Sequence, residues 1–198
     1  DWTISVIMRN SVTVANGGSY YDSDGDVEAF NQAVIWVQLL TTAVGIDDDS
    51  DILEIALQDH NGVKQIVVDS EFANDDYSIP YSPSQEAHIR LSYDSIAAEI
   101  TSAYSYNGSS YIDLRTSSVA SLSSYMNGYP IGVSLGAESD NVAINAGQNY
   151  FKGFTVTAAP TWEVYDDFSG GTLDTQKWET WYWPGGQAPF ISNGQLRL

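Results

Sequence analysis

Apolar and polar residues alternate along most of this chain with a period of two, the mark of half-buried β-strands. Trp2, Ile4, Val6 and Met8 fall on one side of the opening segment, and Thr3, Ser5, Ile7 and Arg9 on the other. Residues 33–40, with Trp36 among them, form a nearly continuous apolar run, as in a strand buried on both faces. Residues 52–57 predict the next strand, Asn61-Gly62 a tight hairpin, and residues 63–68 the returning strand. Residues 88–93 and 98–104 predict another pair, and Asn107-Gly108 turns the chain into 111–115. Residues 131–135 and 151–156 complete the run. Helical periodicity is scarce, with room for one or two turns only at 117–126. After a short linker at 158–160, two strand-like pieces remain, near 162–168 and 188–198. Two strands do not form an independent domain. The expected organisation is a main body at 1–157 and a segment 161–198 that completes this sandwich or that of a neighbouring copy. The expected class is an all-β, antiparallel, jelly-roll-like sandwich.

Composition narrows the function classes. A chain of 198 residues, 43% hydrophobic and 13% aromatic, can bury a core without staples. Only 7 Lys and Arg face 26 Asp and Glu, for a formal net charge of −19. That field repels phosphate backbones and anionic lipid and favours cations, so no nucleic-acid partner is expected. No apolar run approaches the roughly 20 residues of a membrane helix, so membrane insertion is not expected either. Cysteine is absent, which removes disulfides, zinc thiolates and thiol nucleophiles together. Abundant Ser, Thr, Tyr and Gly with few Lys suit an extracellular or cell-surface protein. The start at Asp1, directly in a strand pattern, reads as a processed form or a segment of a longer chain.

Candidate chemistry lies in a few clusters. Asp22, Asp24 and Asp26 alternate with small residues, so a loop could wrap calcium, which takes hard oxygen ligands. The spacing departs from an EF-hand loop in the position of Gly25 and in lacking a Glu at the twelfth place. Asp47, Asp48, Asp49 and Asp51 form a second, weaker cation candidate; the plain alternative for both is a solvated acidic loop. Trp181 and Trp183 precede Pro184-Gly185-Gly186 and offer flat faces for carbohydrate stacking, or for packing on the sandwich. Asn107-Gly108-Ser109 is a formal N-glycosylation sequon on a turn. His60 and His88 sit in no nucleophile or metal motif and read as surface or loop residues.

The tail carries a resemblance. Tyr165-Asp166-Asp167-Phe168-Ser169-Gly170-Gly171-Thr172-Leu173-Asp174 with Trp178, and the strand Ile191-Ser192-Asn193-Gly194-Gln195-Leu196-Arg197-Leu198, resemble the opening of concanavalin A-like lectin/glucanase domains, a superfamily that includes laminin G-like sandwiches. Asp1-Trp2-Thr3-Ile4-Ser5-Val6 resembles that family's next strand, and Tyr150-Phe151-Lys152-Gly153-Phe154-Thr155-Val156 its closing strand. The resemblance spans the chain in a circularly shifted order, with the family's first strands at the C-terminal end. A tandem repeat cut between Leu198 and Asp1, strand exchange between copies, and a circular permutant each account for this order. Trp162, Phe168, Trp178, Leu196 and Leu198 are then the expected assembly residues.

The resemblance implies two further functions. Hydrolases of this family carry a Glu-x-Asp-x-x-Glu strand, and Glu54-Ile55-Ala56-Leu57-Gln58-Asp59 matches it only in degenerate form. Ala56 replaces the middle carboxylate and Asp59 the last, so no catalytic residue is assigned. The leading expectation is a structural subunit or repeat of an extracellular filament or large surface protein, with copies of itself as partner. The alternative is a carbohydrate-binding module for a polysaccharide, and a degenerate glycoside hydrolase stands behind both.

Overall fold

The computed structural model describes residues 1–14, 20–21, 27–28, 30–39, 51–69, 77–122, 131–140, 145, 147–158, 161–178, 180 and 188–198. The strands are β1 (Trp2–Asn10), β2 (Tyr20–Tyr21), β3 (Val27–Glu28), β4 (Phe30–Leu39), β5 (Asp51–His60), β6 (Val63–Asp69), β7 (Tyr77–Pro80), β8 (Ala87–Asp94), β9 (Glu99–Ser105), β10 (Ile112–Ser118), β11 (Ile131–Asp140), β12 (Asn149–Ala158), β13 (Thr161–Asp166), β14 (Phe190–Ile191) and β15 (Leu196–Arg197). One 3-10 turn, Ala120–Leu122, is the helical structure among the described residues. It falls inside the stretch where one or two turns are expected; residues 123–126 of that stretch lie outside the described set.

Two antiparallel sheets pack face to face. The back sheet has eight strands in the order β10-β9-β8-β1-β12-β15-β14, with β13 also paired to β12; the front sheet runs β11-β4-β5-β6-β7. Alternation dictates what lies between them. Ile4, Val6 and Met8 of β1 and Ile89, Leu91 and Tyr93 of β8 point inward from the back sheet, against Ala33, Ile35 and Val37 of β4 and Leu53, Ile55 and Leu57 of β5. Burying a large apolar side chain contributes about 1.5–3 kcal/mol, so this layer is the main source of stability. The Asn61-Gly62 turn holds β5 and β6 in register from His60↔Val63 to Glu54↔Asp69, with Asn61 and Gly62 both at positive φ (50° and 83°).

Buried amides stitch the two sheets together at one end. Asn10 of β1 donates through Nδ2 to the carbonyls of Asn31 (3.1 Å) and Leu57 (2.8 Å) in the front sheet. Asn149 of β12 donates to Asn31 Oδ1 and to the Gln32 carbonyl, both at 3.2 Å. Buried carbonyls left unpaired would be costly, so these side chains fix how the front sheet sits on the back one.

The segment read as a linker at 158–160 begins within β12. Ala158 pairs with Thr161, and β13 folds back along Phe154–Ala158. Farther along the same edge, β15 pairs Arg197 with Tyr150 and Leu196 with Phe151. The C-terminal strand therefore lies beside β12, which separates it from β1. Phe168 is fully buried, and Trp178 packs on Phe154 (5.4 Å, edge-on) and on Phe168 (5.7 Å). In this structure the tail completes the chain's own back sheet.

Candidate binding face on the front sheet

The outward residues of the front sheet are unlike those of an ordinary solvated face. Because side chains alternate, the inward set Ala33, Ile35 and Val37 leaves Gln32, Trp36 and Gln38 facing out from β4. By the same parity Glu54, Gln58 and His60 face out from β5, Gln65 and Asp69 from β6, and Ser134 and Glu138 from β11. A groove of about 380 Å³ runs over Phe30, Gln32, Glu54, Gln58, Gln65 and Asp69.

Cross-strand register sets one polar residue per strand into a single row. Glu138 pairs with Gln32, Gln32 with Gln58, and Gln58 with Gln65. Hydrogen bonds run along the row in one direction: Gln65 Nε2 donates to Gln58 Oε1 (3.1 Å), Gln58 Nε2 to Gln32 Oε1 (3.4 Å), and Gln32 Nε2 to Glu138 Oε2 (2.9 Å). Each primary amide has two N–H groups and two carbonyl lone pairs. Within the row Gln58 and Gln65 therefore keep capacity for a ligand. Neighbouring strands lie about 4.8 Å apart, so polar groups recur across the face at that interval.

Two carboxylates meet at the end of the row. Gln32 Nε2 also donates to Glu54 Oε1 at 3.3 Å, and Trp36 Nε1 donates to Glu54 Oε2 at 3.0 Å. Sharing one amide nitrogen brings the Glu54 and Glu138 carboxylates together on the front face. The Trp36 ring lies across β11 at Gly136, where a Cβ would come within 2.3 Å of the ring. Glycine is needed at that position for space.

The geometry corrects the expected partner of Glu54. Residues 54 and 59 are an odd number apart on one strand, so they point to opposite faces. Asp59 is 1% exposed and pairs with Lys64 on the core side. The second carboxylate comes from β11 instead. No local signal marks Glu138, because the apolar run there ends at Leu135, whereas β11 continues to Asp140. Only the pairing of distant strands brings it to Gln32. The two histidines also depart from expectation: His60 lies in β5 and His88 in β8, both half-buried.

The other predicted positions divide as follows. Asp22, Asp24 and Asp26, Asp47 to Asp49, and Trp181 and Trp183, the calcium and sugar-stacking candidates, lie outside the described residues. Asp51 opens β5, and its side chain is outside the described set. Among the described residues no cluster of three or more metal-ligating side chains occurs. Asn107 is exposed; its Oδ1 accepts from the Ser109 amide (2.9 Å), the Ser109 hydroxyl (3.0 Å) and the Ser110 amide (2.9 Å). Trp162 lies in β13 opposite Thr157, with its side chain outside the described set. Leu196 is buried and Leu198 packs at the rim of the core.

No family model matches the chain, and no curated protein matches it. Two solved structures are similar in outline. One is a functionally unknown protein from Saccharomyces cerevisiae, 14% identical, with a TM-score of 0.46 over 81% of this chain and 70% of that one. The other is Scytalido-glutamic peptidase with a peptide-based transition-state analogue, 12% identical, with a TM-score of 0.49 over 98% of this chain and 90% of that one. The class itself follows from strand order and pairing: an all-β antiparallel sandwich with a polar, groove-bearing front face.

Proposed function

We propose that this protein is an extracellular carbohydrate-binding module whose front face holds an extended polysaccharide. The observation that supports the reading is the in-register row Glu138–Gln32–Gln58–Gln65. Amides and carboxylates fixed at regular intervals suit a ligand with hydroxyl groups recurring along its length. Trp36 supplies an aromatic surface beside the row, and a few fixed polar groups in a groove set orientation and specificity. Glu54 and Glu138 are engaged as acceptors from Gln32 and Trp36, a role that suits holding hydroxyls more than delivering a proton, so the site is proposed to bind without cleavage.

The test is calorimetric titration with linear neutral polysaccharides and their oligomers. Binding is expected to weaken about tenfold or more in Gln58→Ala, one lost hydrogen-bonding group being worth about 1.4 kcal/mol. Absence of binding to every such glycan, or full binding by a Gln58→Ala/Gln65→Ala protein, would overturn the proposal. A second reading, a subunit of an extracellular assembly built from copies of this chain, is favoured by a different observation: basic residues avoid the front face and gather on the back.

A further inference from the structure

The chain has 7 Lys and Arg, and they are unevenly placed. Strands β4, β5, β7 and β11 contain none, and Lys64 of β6 turns inward to Asp59. The described front face therefore presents Glu54, Asp69 and Glu138 with no Lys or Arg among them. The back sheet carries five, Arg9, Arg90, Arg115, Lys152 and Arg197, interspersed with the exposed acids Asp94, Glu99 and Asp113. Arg9, Arg90, Lys152 and Arg197 stand next to the buried residues Met8, Leu91, Phe151 and Leu196, so alternation turns all four outward. Arg9, Tyr150 and Arg197 form one row across β1, β12 and β15, which sets the two arginines about 10 Å apart at ordinary strand spacing.

Lys152 is paired with Glu86 at 2.7 Å. The three guanidiniums have no carboxylate partner among the described residues. Arg9 donates to the Pro83 carbonyl (3.3 Å), Arg90 stacks on Tyr111 (4.1 Å), and Arg197 donates to Gln195 Oε1 (2.6 Å) over the Tyr150 ring. Guanidinium forks match carboxylates in shape and charge, so an acidic surface is their natural complement.

We infer that the back face of one copy docks on the front face of the next, with Arg9, Arg90 and Arg197 meeting the carboxylates around Asp69, Glu54 and Glu138. This rests on the assembly reading and specifies its contact. The two surfaces differ, so the contact is heterologous; repeated, it closes a ring or grows an open filament. Its dependence on salt is distinctive. Two bodies of charge −19 repel at long range, while the opposed patches attract at contact. At about 0.01 M salt the Debye length of about 30 Å lets whole-body repulsion act. At about 0.15 M it shrinks to about 8 Å, and contact pairs prevail. At about 1 M, where it is about 3 Å, those pairs are screened as well. Association therefore peaks at intermediate ionic strength.

Sedimentation velocity of the full chain at these three salt concentrations tests the contact. The expected result is a species that grows with protein concentration near 0.15 M NaCl and recedes at both extremes. Arg9→Glu/Arg197→Glu, checked as folded by near-ultraviolet circular dichroism, is expected to remain monomeric; Arg90→Glu serves if the double variant unfolds. Asp69→Lys breaks the opposite surface and is also expected to be monomeric. Mixing the back-face and front-face variants is expected to restore association, because one intact back and one intact front remain. Association that persists in Arg9→Glu/Arg197→Glu overturns this contact and leaves assembly standing. A monomer at every salt concentration overturns both.

Discussion

Asp59 and Lys64 face each other across the β5–β6 hairpin on its core side. Asp59 Oδ2 accepts from the Val14 amide (3.1 Å) and from Lys64 Nζ, which also donates to the Val12 carbonyl. Asp59 Oδ1 is buried with no hydrogen-bond partner. A pair like this adds modest net stability, because desolvation offsets its attraction, yet breaking it strands a charge. Lys64→Met is therefore expected to cost about 3–5 kcal/mol in urea unfolding. Adding Asp59→Leu is expected to recover part of the loss, since the stranded charge goes and only the Val12 and Val14 backbone groups stay unpaired. A double variant no more stable than Lys64→Met alone would show that the stranded carboxylate is not the source of the cost. The sequence put Asp59 beside Glu54 as possible chemistry; strand parity makes it part of the core instead.

At the scale of elements, most strands were legible because their signals are local. Alternation at Trp2 to Met8 and the Asn61-Gly62 turn depend only on near neighbours in sequence, and β1 and the β5–β6 hairpin stand where they point. The site was half legible. Glu54 could be named, but its donors Gln32 and Trp36 come from β4, and Glu138, which shares Gln32, comes from β11, by pairings that no local pattern encodes. The tail was legible as strands but not in its placement. Its packing on β12 is held by Phe168, a buried aromatic at φ 56° whose amide donates to Asp166 Oδ1 (2.8 Å), and by Trp178, whose Nε1 donates to Asp166 Oδ2 (2.8 Å). A left-handed backbone costs a non-glycine residue about 1–2 kcal/mol, so burial of the ring must outweigh it. Phe168→Ala is expected to lose about 3–5 kcal/mol of stability. Because the tail packs on its own chain, the unfolding midpoint near 1 M salt, where docking is screened, should not move with protein concentration. A midpoint that rises with concentration there would mean that the tail is exchanged between copies.

For the whole molecule, the balance between a net charge of −19 and a few perturbed groups decides how stability follows pH. Burial pushes the His88 imidazole below its ordinary value, with Glu86 pulling it up and Lys152 pushing it down. A histidine lowered in the folded state takes up its proton first in the unfolded chain, so stability falls as pH drops through the ordinary imidazole range toward the lowered value. Burial raises Glu86, but hydrogen bonds from Lys152 and Tyr150 outweigh it and hold the carboxyl below its ordinary value. Its contribution is present above the ordinary Glu range and is lost as pH falls through the lowered value. Relief of the repulsion among 26 carboxylates works the other way, but it begins only where carboxylates protonate, toward the isoelectric point near 4.1. The first decline, between about pH 7 and pH 5.5, therefore belongs to the imidazole. Denaturant unfolding across that interval is expected to show falling stability for the parent chain and a flatter profile for His88→Gln. Equal slopes in the two proteins would assign the decline to another group. Glu86→Gln is expected to deepen the His88 decline, because the carboxylate no longer holds the imidazole up, and to lose the further decline below the ordinary Glu range.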